Sequence, residues 1–197
     1  SYADSDFYTV TILGDCVGFA FNNGGDKDKI YEVINWGVGF KLNATGGFRA
    51  CQQLNITATD VLDISENNQN LYFAFYATPN LVFNDSLSLW DTSNQTTMYR
   101  LFYYCNKFNI DISNWDYSGL NLSDSLQFFL SSSIYDSSYY DNLLIKWASD
   151  PSLGGLQPNI IGTIDMGSIK YTTNGASARA SILANNKAVT INDGGQI

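Results

Sequence analysis

Phenylalanine returns every 27 residues along this chain, at Phe21, Phe48, Phe75, Phe102 and Phe129. Three positions after each comes a small side chain (Gly24, Cys51, Thr78, Cys105, Ser132). Six after it comes Leu54, Leu81, Phe108 or Tyr135, with Lys27 breaking that column in the first copy. A second apolar pair, three residues apart, precedes the following anchor: Val33 and Trp36, Val61 and Ile64, Leu87 and Trp90, Ile112 and Trp115. Between the columns lie clusters of Asn, Asp, Ser and Gly, the residues of turns. One such unit is too small to enclose its own apolar face, but stacked copies bury a continuous column, so the period predicts a repeat architecture. Each unit reads as one short strand ("KIYEVINW", "FNIDISNW"), a turn, and a return segment that carries the Phe.

The ends of the array differ from its middle. Alternation in "FYTVTILGD" predicts an opening strand over 7–13, within an N-terminal capping strand region assigned to 1–20. The repeats are assigned to 21–136 and a C-terminal α/β cap to 137–197. In that cap Asp141 or Asn142 is placed to cap a helix through "NLLIKWA", with Leu143, Leu144 and Trp147 on one face. A second helix through "ASARASILAN" follows an Asn174-Gly175 turn, and "AVTIN" at 188–192 closes with a strand. The stretch 150–163 carries no clear pattern. The N-terminal "SYADSDFYTV" has neither an initiator Met nor a basic and apolar leader, so a processed or excised segment is expected.

Composition narrows the chemistry. Ten basic against 19 acidic residues give a formal net charge of −9, which repels a phosphate backbone and anionic lipid head groups alike. No stretch approaches the roughly 18 consecutive apolar residues of a membrane span. The absence of His removes Ser/His/Asp and Cys/His arrangements, and no phosphate-binding or dinucleotide loop occurs, so no cofactor is expected. Asp111 and Asp116 could in principle pair as acid and base, but they recur where each strand meets its turn, and the repeat accounts for them. Acidic runs such as "GGDKDK" do not match a calcium loop, and no metal site is assigned. The three cysteines cannot all pair. Cys51 and Cys105 share a column two units apart, about 10 Å at strand spacing, beyond the ~7 Å reach of a disulfide, and are expected as free, buried thiols.

The stretch "FYYCNKFNIDISNWDYS" resembles the BspA-type leucine-rich-repeat surface proteins. It does so at Phe102, Cys105, Phe108, Asn109, Asp111, Ile112, Ser113, Trp115, Asp116 and Ser118, with a weaker copy at Trp90, Asp91 and Ser93. Thr78 and Ser132 depart from the pattern by replacing the Cys, and Ile64 by replacing a Trp. The resemblance implies a mostly β fold with short helices, a leucine-rich-repeat-like solenoid of about four to five turns, on a bacterial or virion surface. It implies attachment and no reaction.

The structural core is accordingly assigned to the five Phe anchors with Trp36, Trp90, Trp115, Cys51 and Cys105. Tyr76, Tyr103, Tyr104, Tyr117 and Tyr139 are left over as candidate ligand contacts, since tyrosine offers flat apolar area with a polar tip at low entropic cost. The expectation is a non-catalytic attachment or recognition module, extracellular, that grips a cell-surface glycan or protein, with neither nucleic acid nor membrane insertion. The alternative is a structural virion or cell-coat subunit that self-associates through its side.

Overall fold

The structure is a computed structural model that describes residues 6–42, 45–65, 70–120, 123–132, 134–149 and 162–197. In chain order it has β1 (Cys16–Phe19), β2 (Glu32–Val33), β3 (Phe40–Leu42), β4 (Asn55–Ile56), α1 (Ser137–Ser149), β5 (Gly162–Asp165), α2 (Thr173–Asn185) and β6 (Val189–Asn192). The strands pair two by two and in parallel: β1 with β3, β2 with β4, β5 with β6.

This is a mixed α/β arrangement of small parallel sheets and two helices, and it corrects the expected mostly β, leucine-rich-repeat-like solenoid. Most of "SLSLW" lies in a short 3-10 helix, Asp85–Leu89, and "FNIDISNW" forms no strand and turns at Ser113 and Asn114. Between β4 and α1 the described segments meet through turns and through isolated bridges such as Asn70 to Thr97 and Phe102 to Leu130. The cause is local. Ala50, Phe73, Ala77, Arg100, Tyr104, Asp124 and Phe128 all have φ between 51° and 63°. A left-handed residue reverses the chain and cannot continue an extended strand.

The opening strand is also corrected. Residues 7–13 form no strand; Phe7 is 79% and Leu13 89% exposed, and the first strand is β1. β1 takes β3 as its partner, so the alternating stretch before it packs little, with Phe7 meeting Tyr31 edge-on at 4.8 Å.

The Phe column is nevertheless continuous. Phe48 stacks on Phe75 at 5.6 Å with 12° between planes, and Phe75 on Phe102 at 5.8 Å with 19°. Phe129 tilts against Phe102 at 6.3 Å and Phe21 against Phe48 at 6.4 Å. Backbone bonds tie each segment to the next: Phe48 N–H donates to Ala74 O, Phe75 N–H to Leu101 O, and Phe102 N–H to Phe129 O. Burying each such ring is worth about 1.5–3 kcal/mol, and each ring pair adds about 0.5–1.5 kcal/mol. Trp90 stacks on Trp115 at 6.2 Å and Trp36 meets Trp90 edge-on. Phe48, Phe75, Phe102 and Phe129 and the three Trp are buried, whereas Phe21 is half-buried and Gly24 exposed. In the other column Val61 faces outward and Leu62 takes the buried place beside Ile64.

The small column does more than avoid collision. Thr78 Oγ1 donates to Phe48 O at 3.0 Å, and Cys105 Sγ donates to Phe75 O at 3.0 Å. In these two copies the small residue donates to the carbonyl of the Phe one segment earlier, whereas Ser132 Oγ donates to Asn106 O.

The C-terminal elements start earlier than the sequence suggests. Asp136 opens α1 by accepting from the Ser138 N–H and hydroxyl, while Asp141 lies buried and accepts from the Thr172 N–H at 2.9 Å and the Thr172 hydroxyl at 2.5 Å. Thr172 caps α2, whose first turn contains Asn174 and Gly175 rather than following them. A Cβ on Gly175 would come within 2.4 Å of Asp141 Oδ1, so close packing of α2 on α1 demands glycine. β5 was not anticipated; β6 forms over the tail of "AVTIN" and pairs with it.

All three cysteines are free thiols. Burial pushes the Cys51 thiol up to about 12 and raises Cys105 further. A thiol reagent at pH 8 should label Cys16 in the native protein and reach Cys51 and Cys105 only on unfolding. In urea titrations Cys105→Ser should stay close to the parent, because it keeps a donor. Cys105→Leu should lose about 1–3 kcal/mol through overpacking.

Candidate functional site

The left-handed positions form columns of their own. Gly46, Phe73 and Arg100 recur at 27-residue intervals with φ of 71°, 58° and 55°, and Phe128 follows at 51°. Glycine fills the first place at no steric cost. At the others the chain holds large side chains in a conformation costing roughly 1–2 kcal/mol each. These side chains point to one face and touch one another.

On that face two guanidinium groups lie among rings. Arg49 sits 4.6 Å over Phe73 and 5.4 Å over Tyr76; Arg100 sits 4.8 Å over Phe128, 5.1 Å over Tyr99 and 5.5 Å over Phe73. The Nε of each arginine is sealed from solvent without a hydrogen-bond partner. That loss is offset by cation–π attraction of about 0.5–2 kcal/mol per contact. Tyr76 stacks on Tyr103 at 6.3 Å, and Tyr103 lies 4.2 Å from Tyr104. Burial, then the hydrogen bond with Tyr104, pushes the Tyr103 phenol up to about 12.

Beside this face runs an open groove of about 560 Å³, lined by Thr45, Asn70, Tyr72, Thr97, Tyr99, Ser123, Asp124 and Gln127. Tyr72 and Tyr99 stack at 5.0 Å with 13° between planes. They join groove to face, since Tyr72 meets Phe73 edge-on at 4.3 Å and Arg100 covers Tyr99. Asn70 Oδ1 and Thr97 Oγ1 each accept from the backbone N–H two residues on, at Tyr72 and Tyr99, which fixes both rings relative to their segments. Volume and lining suit a small polar ligand or part of a longer one.

The predicted contacts separate. Tyr76, Tyr103 and Tyr104 share the face, Tyr104 half-exposed and the other two partly buried. Tyr117 is fully buried: its hydroxyl donates to Ile112 O at 3.0 Å and its ring meets Trp147 edge-on, so it serves the core and contacts no ligand. Tyr139 stands apart on α1, packed edge-on against Tyr135 at 6.1 Å. Missed by the sequence reading were Tyr72, Tyr99, Phe73, Arg49, Arg100 and Phe128. The 27-residue spacing of Tyr72 and Tyr99 was available in the sequence as a signal, but the strain at Phe73 and Arg100 was not.

Asp111 Oδ1 accepts from the Ser113 N–H and Oδ2 from Asn142 Nδ2, while Asp116 Oδ1 accepts from the Ser118 N–H. Both carboxylates thus hold turns. Among the described residues no group of three or more His, Cys, Asp or Glu side chains is arranged to hold a metal ion, and no helix is long and apolar enough to cross a membrane.

Two measurements check the face. Tyr104→Gly should unfold at higher urea than Tyr104→Ala, by about 1 kcal/mol, because both lose the ring and only alanine keeps the left-handed strain. Tyr103 should ionise near 12 in an ultraviolet titration and shift back toward 10 on unfolding. Because the folded value is the higher one, its contribution to stability is full below pH 10 and is lost as pH rises toward 12.

No curated protein and no solved structure matches this chain. A family model does: the one described as "Mycoplasma protein of unknown function, DUF285" matches residues 31–142, which include every Phe anchor from Phe48 to Phe129 and most of the aromatic face and groove. That span is more than half of the 197 residues, and the chain belongs to this family.

Proposed function

We propose that this chain is a non-catalytic recognition module, displayed on a cell or virion surface, that attaches by its aromatic and arginine face and the adjoining groove. The observation that carries the reading is the retention of Phe73 and Arg100 at left-handed positions where Gly46 marks the unstrained choice, with Tyr104 and Phe128 left-handed beside them. Strain held at a set of neighbouring outward-facing residues argues for a use of those side chains other than folding. The chemistry agrees. Tyr, Phe and Arg dominate the energetics of binding surfaces, since they offer much rigid area and several directed donors.

Surface display rests on other grounds. The BspA-like resemblance of the matched region supports it, as does a composition low in Lys and Arg and rich in Tyr, with 13 of 197 residues. Such a protein would meet an external ligand with an acidic body that discourages nucleic acid and anionic lipid.

Beads coated with the full chain test the reading when presented to epithelial and bacterial cells under flow. Adhesion to at least one surface is expected, falling about tenfold or more in a Phe73→Gly/Arg100→Gly double variant, whose backbone glycine suits. Asp111→Asn should leave adhesion unchanged. Beads that adhere to neither surface, or adhere equally with the double variant, would defeat the proposal. Light scattering showing ordered assemblies at low concentration would favour a self-associating coat subunit instead.

A further inference from the structure

The groove is itself periodic. Thr45, Tyr72 and Tyr99 follow one another at 27-residue intervals along one line of it, with Gln127 next in backbone register, and Asn70 and Thr97 along a second. Four successive segments therefore contribute equivalent positions, and a ligand that used them all would be long and carry repeating groups of its own.

The main chain here is already committed. Gly46 N–H donates to Tyr72 O, Leu71 N–H to Thr97 O, Phe73 N–H to Tyr99 O and Met98 N–H to Ser125 O. A peptide added as a strand needs free backbone donors and acceptors along an edge, and these bonds occupy them between the segments. What the groove offers is side chains: the Asn70 and Gln127 carboxamides, the Ser123 hydroxyl, the tyrosine phenols and the Asp124 carboxylate, whose Oδ1 already accepts from the Thr163 N–H. No lysine or arginine lines it, and Asp124 adds a negative charge, so an anionic polymer has no counter-charge in the groove and a repulsion to overcome. Uncharged ligands rich in hydroxyls fit amide and hydroxyl partners.

Ring surface is available as well. In register, the position before Tyr72 is Thr45, too small to cover an aromatic face, and the position after Tyr99 is Gln127, because Met98 N–H donates to Ser125 O and Arg100 N–H to Gln127 O. The stack is thus open on the Tyr72 side, beside Thr45, while Arg100 lies over the ring of Tyr99. Apolar C–H faces of a sugar ring match such a surface, with the hydroxyl edges left for the carboxamides.

We propose that this groove holds a linear, uncharged oligosaccharide laid across the segments, its repeating sugars matched to the repeating Tyr and Asn or Thr positions. The inference rests on the recognition reading above and gives it a ligand class. Arg49 and Arg100 then act beside the groove rather than in it, with Arg100 holding the Tyr99 ring.

Titration calorimetry and saturation-transfer NMR on the full chain test this. The probes are cellohexaose, chitohexaose, laminarihexaose and mannohexaose against hyaluronan and polygalacturonate oligomers of similar length. At least one uncharged probe should bind with Kd of about 1 mM or tighter. Tyr99→Ala and Gln127→Ala should each weaken it about tenfold, and Tyr139→Ala should not. Binding of the acidic oligomers alone, no uncharged probe bound at that level, or uncharged binding indifferent to both groove variants would each overturn the proposal. If any of these occurs while bead adhesion still depends on Phe73 and Arg100, the ligand class falls and the recognition reading stands. If adhesion also fails, both fall.

Discussion

Phe48, Phe75 and Phe102 lie ring on ring at 5.6 and 5.8 Å, and the rest of the molecule is arranged to keep them there. A stack of large rings fixes the spacing between segments. At that spacing the Phe N–H of one segment reaches a carbonyl of the next, and the Phe carbonyl is reached by the hydroxyl or thiol of Thr78 or Cys105. Apolar burial and polar satisfaction thus reinforce each other at one place in the Thr78 and Cys105 copies.

The same spacing creates the candidate site. Once the segments are held in parallel register, any residue repeated at the same interval meets its equivalents on the surface. The tyrosine stack of Tyr72 and Tyr99 and the Tyr76–Tyr103 pair are consequences of the core period carried outward. The left-handed turns that break up the strands also turn Phe73, Arg100 and Phe128 to that face. One backbone feature therefore explains both why the chain is not a mostly β array and why it presents an aromatic and cationic face.

Legibility in the sequence followed the strength of the periodic signal. The Phe, Trp and small-residue columns could be read because three types of side chain repeat together, and Phe48, Phe75, Phe102 and Phe129 are buried as the spacing requires. Secondary structure was misread because β-favouring residues such as those of "FNIDISNW" say nothing about φ, and nothing marks Phe73 or Arg100 as left-handed without a glycine or asparagine there. Val61 and Leu62 were exchanged because neither spacing nor residue type tells adjacent aliphatic residues apart once a loop shifts by one. Tyr117 was set aside as a ligand contact when its partners, the Ile112 carbonyl and Trp147, lay one turn and 30 residues away. Of the site, only Tyr76, Tyr103 and Tyr104 were anticipated, since leftover aromatic residues were sought and arginines were not.

The central claim is that stacked rings couple successive segments energetically. A double-mutant cycle on Phe75→Leu and Phe102→Leu, followed by urea unfolding, tests it most directly, since leucine keeps both positions apolar and the cycle subtracts what each ring loses by itself, against Trp90 for Phe75 and against Phe108 and Trp115 for Phe102. A coupling energy of about 0.5–1.5 kcal/mol is predicted. Additive losses, with no coupling between the two positions, would contradict the account.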